Sequence, residues 1–405
     1  MKPAKKISFT ITVINICLLL LANAATGGEV KFNNEKLNQI PAVLQKYIDN
    51  KVVSGAVALV ADKDSIRFCQ SVGYSDLQTY RKMRDDDLFW IASMTKPITA
   101  TAIMMLVDEG KINIDDPVEK YLPEFKNQWM IQEKTNDKLT LVKPPRPITL
   151  RDLLTHTSGL NDLTPPRGHC SLAELVMAYS QLPLKFQPGS RWEYSNSGMN
   201  TLGRIVEVVS GKPYPEFLQE RIFKPLGMKN TAFWLSKSQA SRVAKSYEPD
   251  TANGGLKETT VYFIQGELTD KARTPFPAGG LFSTASDICK FYQMVLNRGV
   301  YKGKRLLSES AVEQMTTTQT GELKTGFTEG MSFGLGFAVV KEPQGVTSML
   351  SKGTFGHGGA YGTQSWADPK KGVIYILMIQ RAKLPNADAS DIRREFQETA
   401  ANAIE

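Results

Sequence analysis

The sequence is poor in the residue types that build metal sites and disulfide frameworks. It has only three histidines and four cysteines among 405 residues. It contains neither H-E-x-x-H nor C-x-x-C, which are spacings typical of metal and redox sites. Three cysteines follow the N-terminal segment (Cys69, Cys170 and Cys289), and this odd number at wide spacing predicts no disulfide framework. We therefore expect neither a metal nor a cofactor.

A long apolar run is also missing beyond the first two dozen residues. Lys2, Lys5 and Lys6 precede an apolar stretch over residues 7–21, and Ala22-Asn23-Ala24 follows it. A basic start, a short apolar stretch and a small-x-small triplet are typical of a secretory signal. An uncleaved anchor is the competing interpretation, but polar residues interrupt the stretch and it is short for a bilayer span. We predict a cleaved signal peptide over residues 1–24, a periplasmic or secreted mature protein, and no membrane span after cleavage.

The net charge of the chain argues against one class of function, nucleic-acid binding. The formal net charge of +8 at pH 7 includes the three lysines of the predicted signal. The remaining excess is mild and is not concentrated in one block, which is typical of a solvated surface. A content of 41% hydrophobic and 22% charged residues is that of an ordinary globular protein. We predict that the protein does not bind nucleic acid.

The order of sequence patterns predicts an α+β fold. Helix-spaced apolar residues over 37–48 precede an expected hairpin at 55–71, and stretches with helical periodicity dominate the middle of the chain. Strand-like segments then follow at 332–340, 353–367 and 372–380, before a last helix that carries Ile392, Phe396, Ala400 and Ala403 on one face. Elements contributed by both ends of the chain indicate one domain with an inserted second one.

The domain boundaries follow from this order. We predict an α/β domain formed by residues 30–110 and 281–405, with an antiparallel sheet flanked by helices. Residues 111–280 are expected to form a mainly helical inserted domain, in which the polar stretch 126–146 is a surface excursion.

The first chemical motif is Ser93-Met-Thr-Lys96, which opens an apolar helical segment. Ser93 is the only serine of the chain with a lysine three residues later. On a helix these two side chains share a face, and the helix N-terminus together with burial lowers the pKa of such a lysine. A neutral amine could then take the serine proton and create a nucleophile. The simpler interpretation is a capping serine beside a surface lysine.

Two further motifs carry groups suited to the same chemistry. Tyr194 is the only tyrosine with an asparagine two positions later, and it could move a proton while the Asn196 amide holds a substrate carbonyl. The segment His357-Gly358-Gly359-Ala360 leads into a strand, where glycines leave room for a substrate backbone. A packed tyrosine in a turn and a glycine-rich turn are the alternatives when each motif is taken singly.

Taken together, the motifs resemble the serine β-lactamase and penicillin-binding superfamily, nearest to class C enzymes and family VIII carboxylesterases. The order S-x-x-K, Y-x-N and a K-T-G-like triplet is characteristic, and three connecting blocks extend the resemblance over roughly residues 35–400. Those blocks are Leu153–Leu160, Pro277–Asp287 and Gly334–Phe337.

The resemblance implies the β-lactamase/DD-peptidase-like fold and an acyl-enzyme mechanism. It makes Ser93 the nucleophile, Lys96 and Tyr194 the acid/base pair, and Asn196 a substrate-orienting group. The backbone amides of Ser93 and Ala360 would form the oxyanion hole. The sequence departs from the pattern where His357-Gly358-Gly359 replaces K-T-G, so that recognition of a β-lactam carboxylate is weakened.

The expected substrates are therefore small esters or amides first, D-amino peptides second and β-lactams third. Peptidoglycan-derived peptides are a further class of partner, and the sequence leaves the oligomeric state open. A sensor that is acylated without turnover is the non-enzymatic alternative. An α/β-hydrolase could use His-Gly-Gly as an oxyanion loop, but it needs a G-x-S-x-G downstream of that loop, and none follows His357.

Overall fold

A computed structural model of the chain describes residues 30–162, 169–261, 264 and 266–405. The predicted signal peptide, residues 1–24, lies outside the described residues. Among the helices of the described ranges, none is both long enough and apolar enough to cross a membrane.

The described ranges contain the following strands. They are β1 Gly55–Asp62, β2 Ile66–Asp76, β3 Arg81–Lys82, β4 Phe89–Trp90, β5 Met130–Lys134, β6 Leu139–Val142, β7 Ser246–Pro249, β8 Leu256–Thr259, β9 Phe282–Ser283, β10 Val300–Tyr301, β11 Lys304–Arg305, β12 Met331–Phe333, β13 Ala338–Val340, β14 Phe355–Gly358, β15 Gln364–Asp368 and β16 Val373–Met378.

The same ranges contain these helices. They are α1 Asn34–Leu37, α2 Ile40–Asp49, α3 Thr95–Asp108, α4 Leu150–Leu154, α5 Leu172–Ser180, α6 Asn196–Ser210, α7 Tyr214–Leu218, α8 Lys224–Leu226, α9 Lys237–Ala240, α10 Ala285–Leu296, α11 Glu309–Thr316 and α12 Asp391–Asn402. A π-helical turn over Gln219–Phe223 joins α7 to α8. Short 3₁₀ turns lie at Ala92–Met94, Val118–Lys120, Pro123–Phe125, Gly345–Thr347 and Ala387–Ala389.

The main sheet joins distant parts of the chain. In the described residues it has eight strands in the order β12-β13-β14-β15-β16-β1-β2-β3. Each neighbouring pair is antiparallel, and β1 pairs with β16 so that Val57 lies opposite Met378. The predicted antiparallel sheet flanked by helices is confirmed, and so is the predicted α+β class.

The central strands are buried on both faces, which explains their unbroken apolar sequence. In β1, Val57 and Leu59 face a core shared with α3, α10 and the inserted helices, whereas Ala58 and Val60 face a second core with α2 and α12. Every residue of β1 is buried. The sheet is therefore a middle layer between two sets of helices.

Two of the strand predictions need correction. The segments 332–340 and 353–367 were each expected to be one strand, and each forms a hairpin of two short strands. Gly336 has a φ of +80° in the turn between β12 and β13, and Gly362 has a φ of +88° in the turn between β14 and β15. Glycine adopts this left-handed conformation without steric cost, so the chain reverses there. Apolar residues lie on both sides of each turn, so the sequence pattern alone did not indicate that the chain reverses direction there.

The middle of the chain holds helices α4 to α9 together with two small hairpins. One of them, β5 with β6, lies in the polar stretch 126–146, where the sequence predicted only a surface excursion. Helix α6 packs on α3 and on α4 and brings the Tyr194 segment toward Ser93. This packing is tight at Gly203 of α6, where an added Cβ would lie 2.1 Å from Cγ of Pro277.

This contact generates a test of the packing. We expect Gly203→Ala to lower the free energy of unfolding by about 1–2 kcal/mol, because overpacking of a rigid proline ring outweighs the gain in helix propensity. Gly198→Ala on the same helix is the matched control, since its Cβ would meet its nearest heavy atom at 3.5 Å. Urea unfolding of both variants measures the difference. Equal stability of the two variants would contradict the close approach of α6 to Pro277.

Candidate active site

Ser93 lies on a sharp turn between strand β4 and helix α3. Strand β4 pairs with β9, and the chain then passes through the 3₁₀ turn Ala92–Met94 before α3 begins at Thr95. Ala92 has a φ of +46°, which is uncommon for a residue with a side chain and marks a constrained backbone. The turn leaves the Ser93 side chain partly exposed while its neighbours are buried.

Lys96 contacts Ser93 from within the protein. The lysine is fully buried, and its Nζ lies 3.0 Å from Oγ of Ser93. The same Nζ donates to the Asn196 Oδ1 at 2.8 Å and to the Ala278 carbonyl oxygen at 2.7 Å. Two of its three partners are carbonyl oxygens, which can only accept hydrogen bonds. A neutral amine in this position donates its two N–H groups to the carbonyl oxygens, and its lone pair then points at the Ser93 hydroxyl.

The electrostatic surroundings favour that neutral amine. Burial lowers the pKa of Lys96 from its ordinary 10.5 to about 7, while the negative charge of Asp162 opposes this shift. Sequence reasoning anticipated a depressed lysine pKa, and the structure supplies its cause in complete desolvation. At neutral pH a large fraction of the amine can therefore accept a proton.

Tyr194 and Asn196 are brought to the same place by the start of helix α6. Ser195 caps the helix by accepting a hydrogen bond from the Gly198 amide at 3.1 Å. The Lys96 Nζ lies 4.6 Å from the centroid of the Tyr194 ring. Lys96 and Asn196 lie behind Ser93, whereas Tyr194 reaches the surface of the cleft in front of it.

Asp162 was not identified from the sequence, although it holds this segment in place. Its carboxylate accepts hydrogen bonds from the backbone amides of Asn196 at 3.0 Å and Ser197 at 2.7 Å. It also accepts from the hydroxyls of Ser195 and Ser197. A carboxylate at a helix N-terminus is favourable because the amides there lack intrahelical partners. The contact spans more than thirty positions, so no local pattern revealed it.

Aromatic rings enclose Tyr194 on several sides. Ring centroids of His156 and Phe327 lie 4.6 Å and 5.0 Å from that of Tyr194, and Trp192 is 6.2 Å away. His156 is fully buried and its Nδ1 accepts a hydrogen bond from the Ser195 amide. Burial, together with the nearby Lys96 and His357, holds the pKa of His156 well below its usual range. A neutral His156 is the form that can accept from Ser195.

The glycine-rich motif lies opposite Ser93. Residues Phe355–Gly358 form strand β14, and Ala360 is exposed in the turn that follows. Nδ1 of His357 donates to the Gly358 carbonyl oxygen at 2.7 Å. Burial, reinforced by the charge of Lys96, lowers the pKa of His357 to about 4. The residue that replaces a lysine of the K-T-G pattern is therefore uncharged at neutral pH.

All eight of the sequence-predicted site residues meet around one cleft of about 370 Å³. Ser93, Tyr194 and the four residues 357–360 line it, and Lys96 and Asn196 support Ser93 from behind. Phe327 and the segment 384–388 complete the wall and were not identified from the sequence. Within the described ranges, no group of three or more His, Cys, Asp and Glu side chains is arranged to hold a metal ion. A hydroxyl against a buried amine can act as the nucleophile in acyl transfer.

Comparison with known proteins places this geometry in context. The family model described as Beta-lactamase matches residues 40–400. The esterase EstB of Burkholderia gladioli is 28% identical over 374 residues, which cover 85% of this chain and 90% of EstB. A putative D-alanyl-D-alanine carboxypeptidase of Escherichia coli is 27% identical, with 88% of this chain and 85% of that protein covered.

A solved structure agrees on the fold. EstCE1, described as a hydrolase with promiscuous acyltransferase activity, superposes with a TM-score of 0.74 at 24% identity, covering 91% of this chain and 98% of EstCE1. The predicted resemblance and the predicted fold are both confirmed. The chain belongs to the beta-lactamase family, a family of serine hydrolases in which its relatives include esterases and peptidases.

Proposed function

We propose that the protein is an exported carboxylesterase or amidase that acts on small acyl substrates through an acyl-enzyme on Ser93. The observation that carries this proposal is the contact of the Ser93 Oγ with a buried Lys96 amine whose remaining partners are two carbonyl oxygens. Export to the periplasm or the exterior is supported by the signal-like N-terminal sequence. Nucleic acid and a metal play no part in the proposal.

The proposed reaction has two balanced steps. Lys96 takes the Ser93 proton as Oγ attacks the substrate carbonyl, and the acyl–oxygen or acyl–nitrogen bond then breaks while the leaving group receives a proton through Tyr194. A water molecule next attacks the acyl carbon and passes one proton to the same pair of residues. The bond between the acyl carbon and Ser93 Oγ then breaks, the acid leaves, and the pair returns the proton to Oγ. The amides of Ser93 and Ala360 are assigned to the developing oxyanion, and Asn196 orients the substrate.

An uncharged His357 favours esters over β-lactams. A lysine at this position attracts the carboxylate that β-lactams carry, whereas a neutral, buried imidazole offers no such charge. The similarity to EstB supports the same order of substrates. D-stereospecific peptidase activity is the second candidate, supported by the similarity to the putative D-alanyl-D-alanine carboxypeptidase.

One panel of substrates separates these candidates. We expect turnover of p-nitrophenyl butyrate with little hydrolysis of nitrocefin or of a D-alanyl p-nitroanilide. Faster cleavage of the anilide would favour the peptidase, and rapid nitrocefin hydrolysis would favour a β-lactamase. Acylated protein without turnover, detected by mass spectrometry, would indicate a sensor.

Replacement of the nucleophile is the most direct mutational test. We expect Ser93→Ala to abolish ester hydrolysis and covalent labelling by a fluorophosphonate, because it removes the serine hydroxyl that lies against the Lys96 amine. Ser238→Ala changes an exposed serine and should leave labelling intact. Retained labelling of the Ser93→Ala variant would refute the assignment.

The pH dependence reports on Lys96. Its amine must be neutral to accept a proton, so kcat/KM for p-nitrophenyl butyrate should rise with pH and level off above an apparent pKa near 7. An unshifted lysine would place this rise near its ordinary 10.5. Asp162→Asn removes the charge that opposes the shift and should move the rise to lower pH. A rise near 10 in the unmodified protein would contradict the proposed base.

His357 is tested by restoring a charge. We expect His357→Lys to increase the rate of acylation by nitrocefin relative to the rate of ester cleavage, since a cation there attracts the β-lactam carboxylate. His357→Gln keeps the position uncharged and serves as the matched control, with an unchanged ratio. Stopped-flow acylation and ester turnover give the two rates. An equal ratio for all three proteins would show that position 357 does not set carboxylate recognition.

A further inference from the structure

A carboxylate occupies the space beside the glycine-rich strand where a side chain of residue 358 would otherwise lie. A Cβ added to Gly358 would come within 1.9 Å of Oδ1 of Asp388. Asp388 also lines the cleft that contains Ser93 and Tyr194. A side chain at position 358 would therefore require the Asp388 carboxylate to move from its observed place. The chain has a glycine on the strand and an acid in the cleft.

Asp388 is held firmly at this position. Asn386 caps the 3₁₀ turn Ala387–Ala389 by accepting hydrogen bonds from the amides of Asp388 at 3.0 Å and Ala389 at 3.2 Å. Gln364 of the neighbouring strand β15 donates to Asp388 Oδ1 at 3.0 Å. Within the described ranges, Oδ2 accepts no hydrogen bond from the protein. One carboxylate oxygen is thus fixed by the scaffold, and the described residues donate no hydrogen bond to the other.

The neighbouring charges leave the acid without a direct ionic partner. Arg393 is fully buried, and its Nη1 donates at 2.6 Å to the backbone carbonyl of Asp388 rather than to the carboxylate. The guanidinium stacks over the Trp366 ring at 4.2 Å. In the part of the chain that the structure describes, no ion pair joins Arg393 to the Asp388 side chain. Lys96 is buried behind Ser93. Its Nζ contacts Ser93, Asn196 and the Ala278 carbonyl, and it does not reach Asp388.

We propose that Asp388 sets the charge preference of the cleft, so that the enzyme rejects substrates with a carboxylate beside the scissile group and accepts neutral or cationic ones. A carboxylate lying against Gly358 would meet Asp388 in a partly desolvated cleft, where like charges repel more strongly than in water. A trialkylammonium group at the same place would be attracted. The preference rests on the proposed function, because it concerns substrates that Ser93 cleaves.

The experiment uses ester pairs that differ only in charge. The leaving-group pair is 3-acetoxybenzoate and its methyl ester, and the acyl pair is the p-nitrophenyl ester of glutaric acid and that of its monomethyl ester. A third pair compares 3-(trimethylammonio)phenyl acetate with 3-tert-butylphenyl acetate. We expect the unmodified enzyme to prefer the neutral member of at least one anionic pair and the cationic member of the third pair.

The matched substitution is Asp388→Asn, which keeps the shape and removes the charge. It should raise the anionic-to-neutral ratio of kcat/KM about tenfold in the pair that reaches Gly358, and it should lower the cationic preference. The difference between the two proteins should shrink at high ionic strength. Asp391→Asn, three residues away at the exposed start of α12, is the control and should leave every ratio unchanged.

The outcomes distinguish the inference from the function on which it rests. Equal ratios for the unmodified enzyme and Asp388→Asn in every pair, with ester turnover intact, would overturn the role of Asp388. A preference of the unmodified enzyme for the carboxylate-bearing esters would also overturn the role of Asp388. It would indicate that the positive charge of Arg393 dominates in the cleft. Absence of turnover on every neutral ester would instead refute the proposed esterase. Circular dichroism and labelling of Ser93 by a fluorophosphonate verify that the variant folds.

Discussion

The site depends on one amine that is held away from water. Lys96 is fully buried, and its Nζ is shared by Ser93, Asn196 and the Ala278 carbonyl. These partners come from three parts of the chain, so the lysine is positioned only when α3, α6 and the segment before β9 are packed together. Because this amine is removed from water, its pKa falls toward 7. The same packing therefore establishes the architecture and the reactivity.

Around this amine the protein arranges neutral groups and keeps charge at a distance. His156 and His357 are buried and uncharged at neutral pH, and their ring centroids lie 4.6 Å and 6.1 Å from that of Tyr194. Asp162 contributes its charge to the start of α6, where backbone amides compensate it. Such an environment strengthens directed hydrogen bonds, because little water competes for them. In the proposed reaction the Ser93 proton passes to the Lys96 amine, whose Nζ lies 3.0 Å from Oγ.

The sequence was most informative where a signal is local. The i+3 spacing of Ser93 and Lys96, the apolar period of α2 and α12, and the hairpin predicted at 55–71 all depend on residues close together in the sequence, and the structure reproduces them. The division of 332–340 into two strands depends on the backbone conformation of Gly336. The contacts of Asp162 with Ser197 and of Asp388 with Gly358 depend on tertiary packing alone. No periodicity or motif encodes a partner that lies thirty residues away.

The register of the main sheet has a consequence for how the chain acquires activity. Strand β1 is an early segment, yet its partner on one side is β16, with Val57 opposite Met378. The β14 wall of the cleft is attached to β1 only through β15 and β16. Contacts of such large sequence separation form late and slowly during folding. A nascent chain that already contains Ser93, Lys96 and Tyr194 still lacks part of the cleft wall, so the complete cleft forms only after residue 388 has been added.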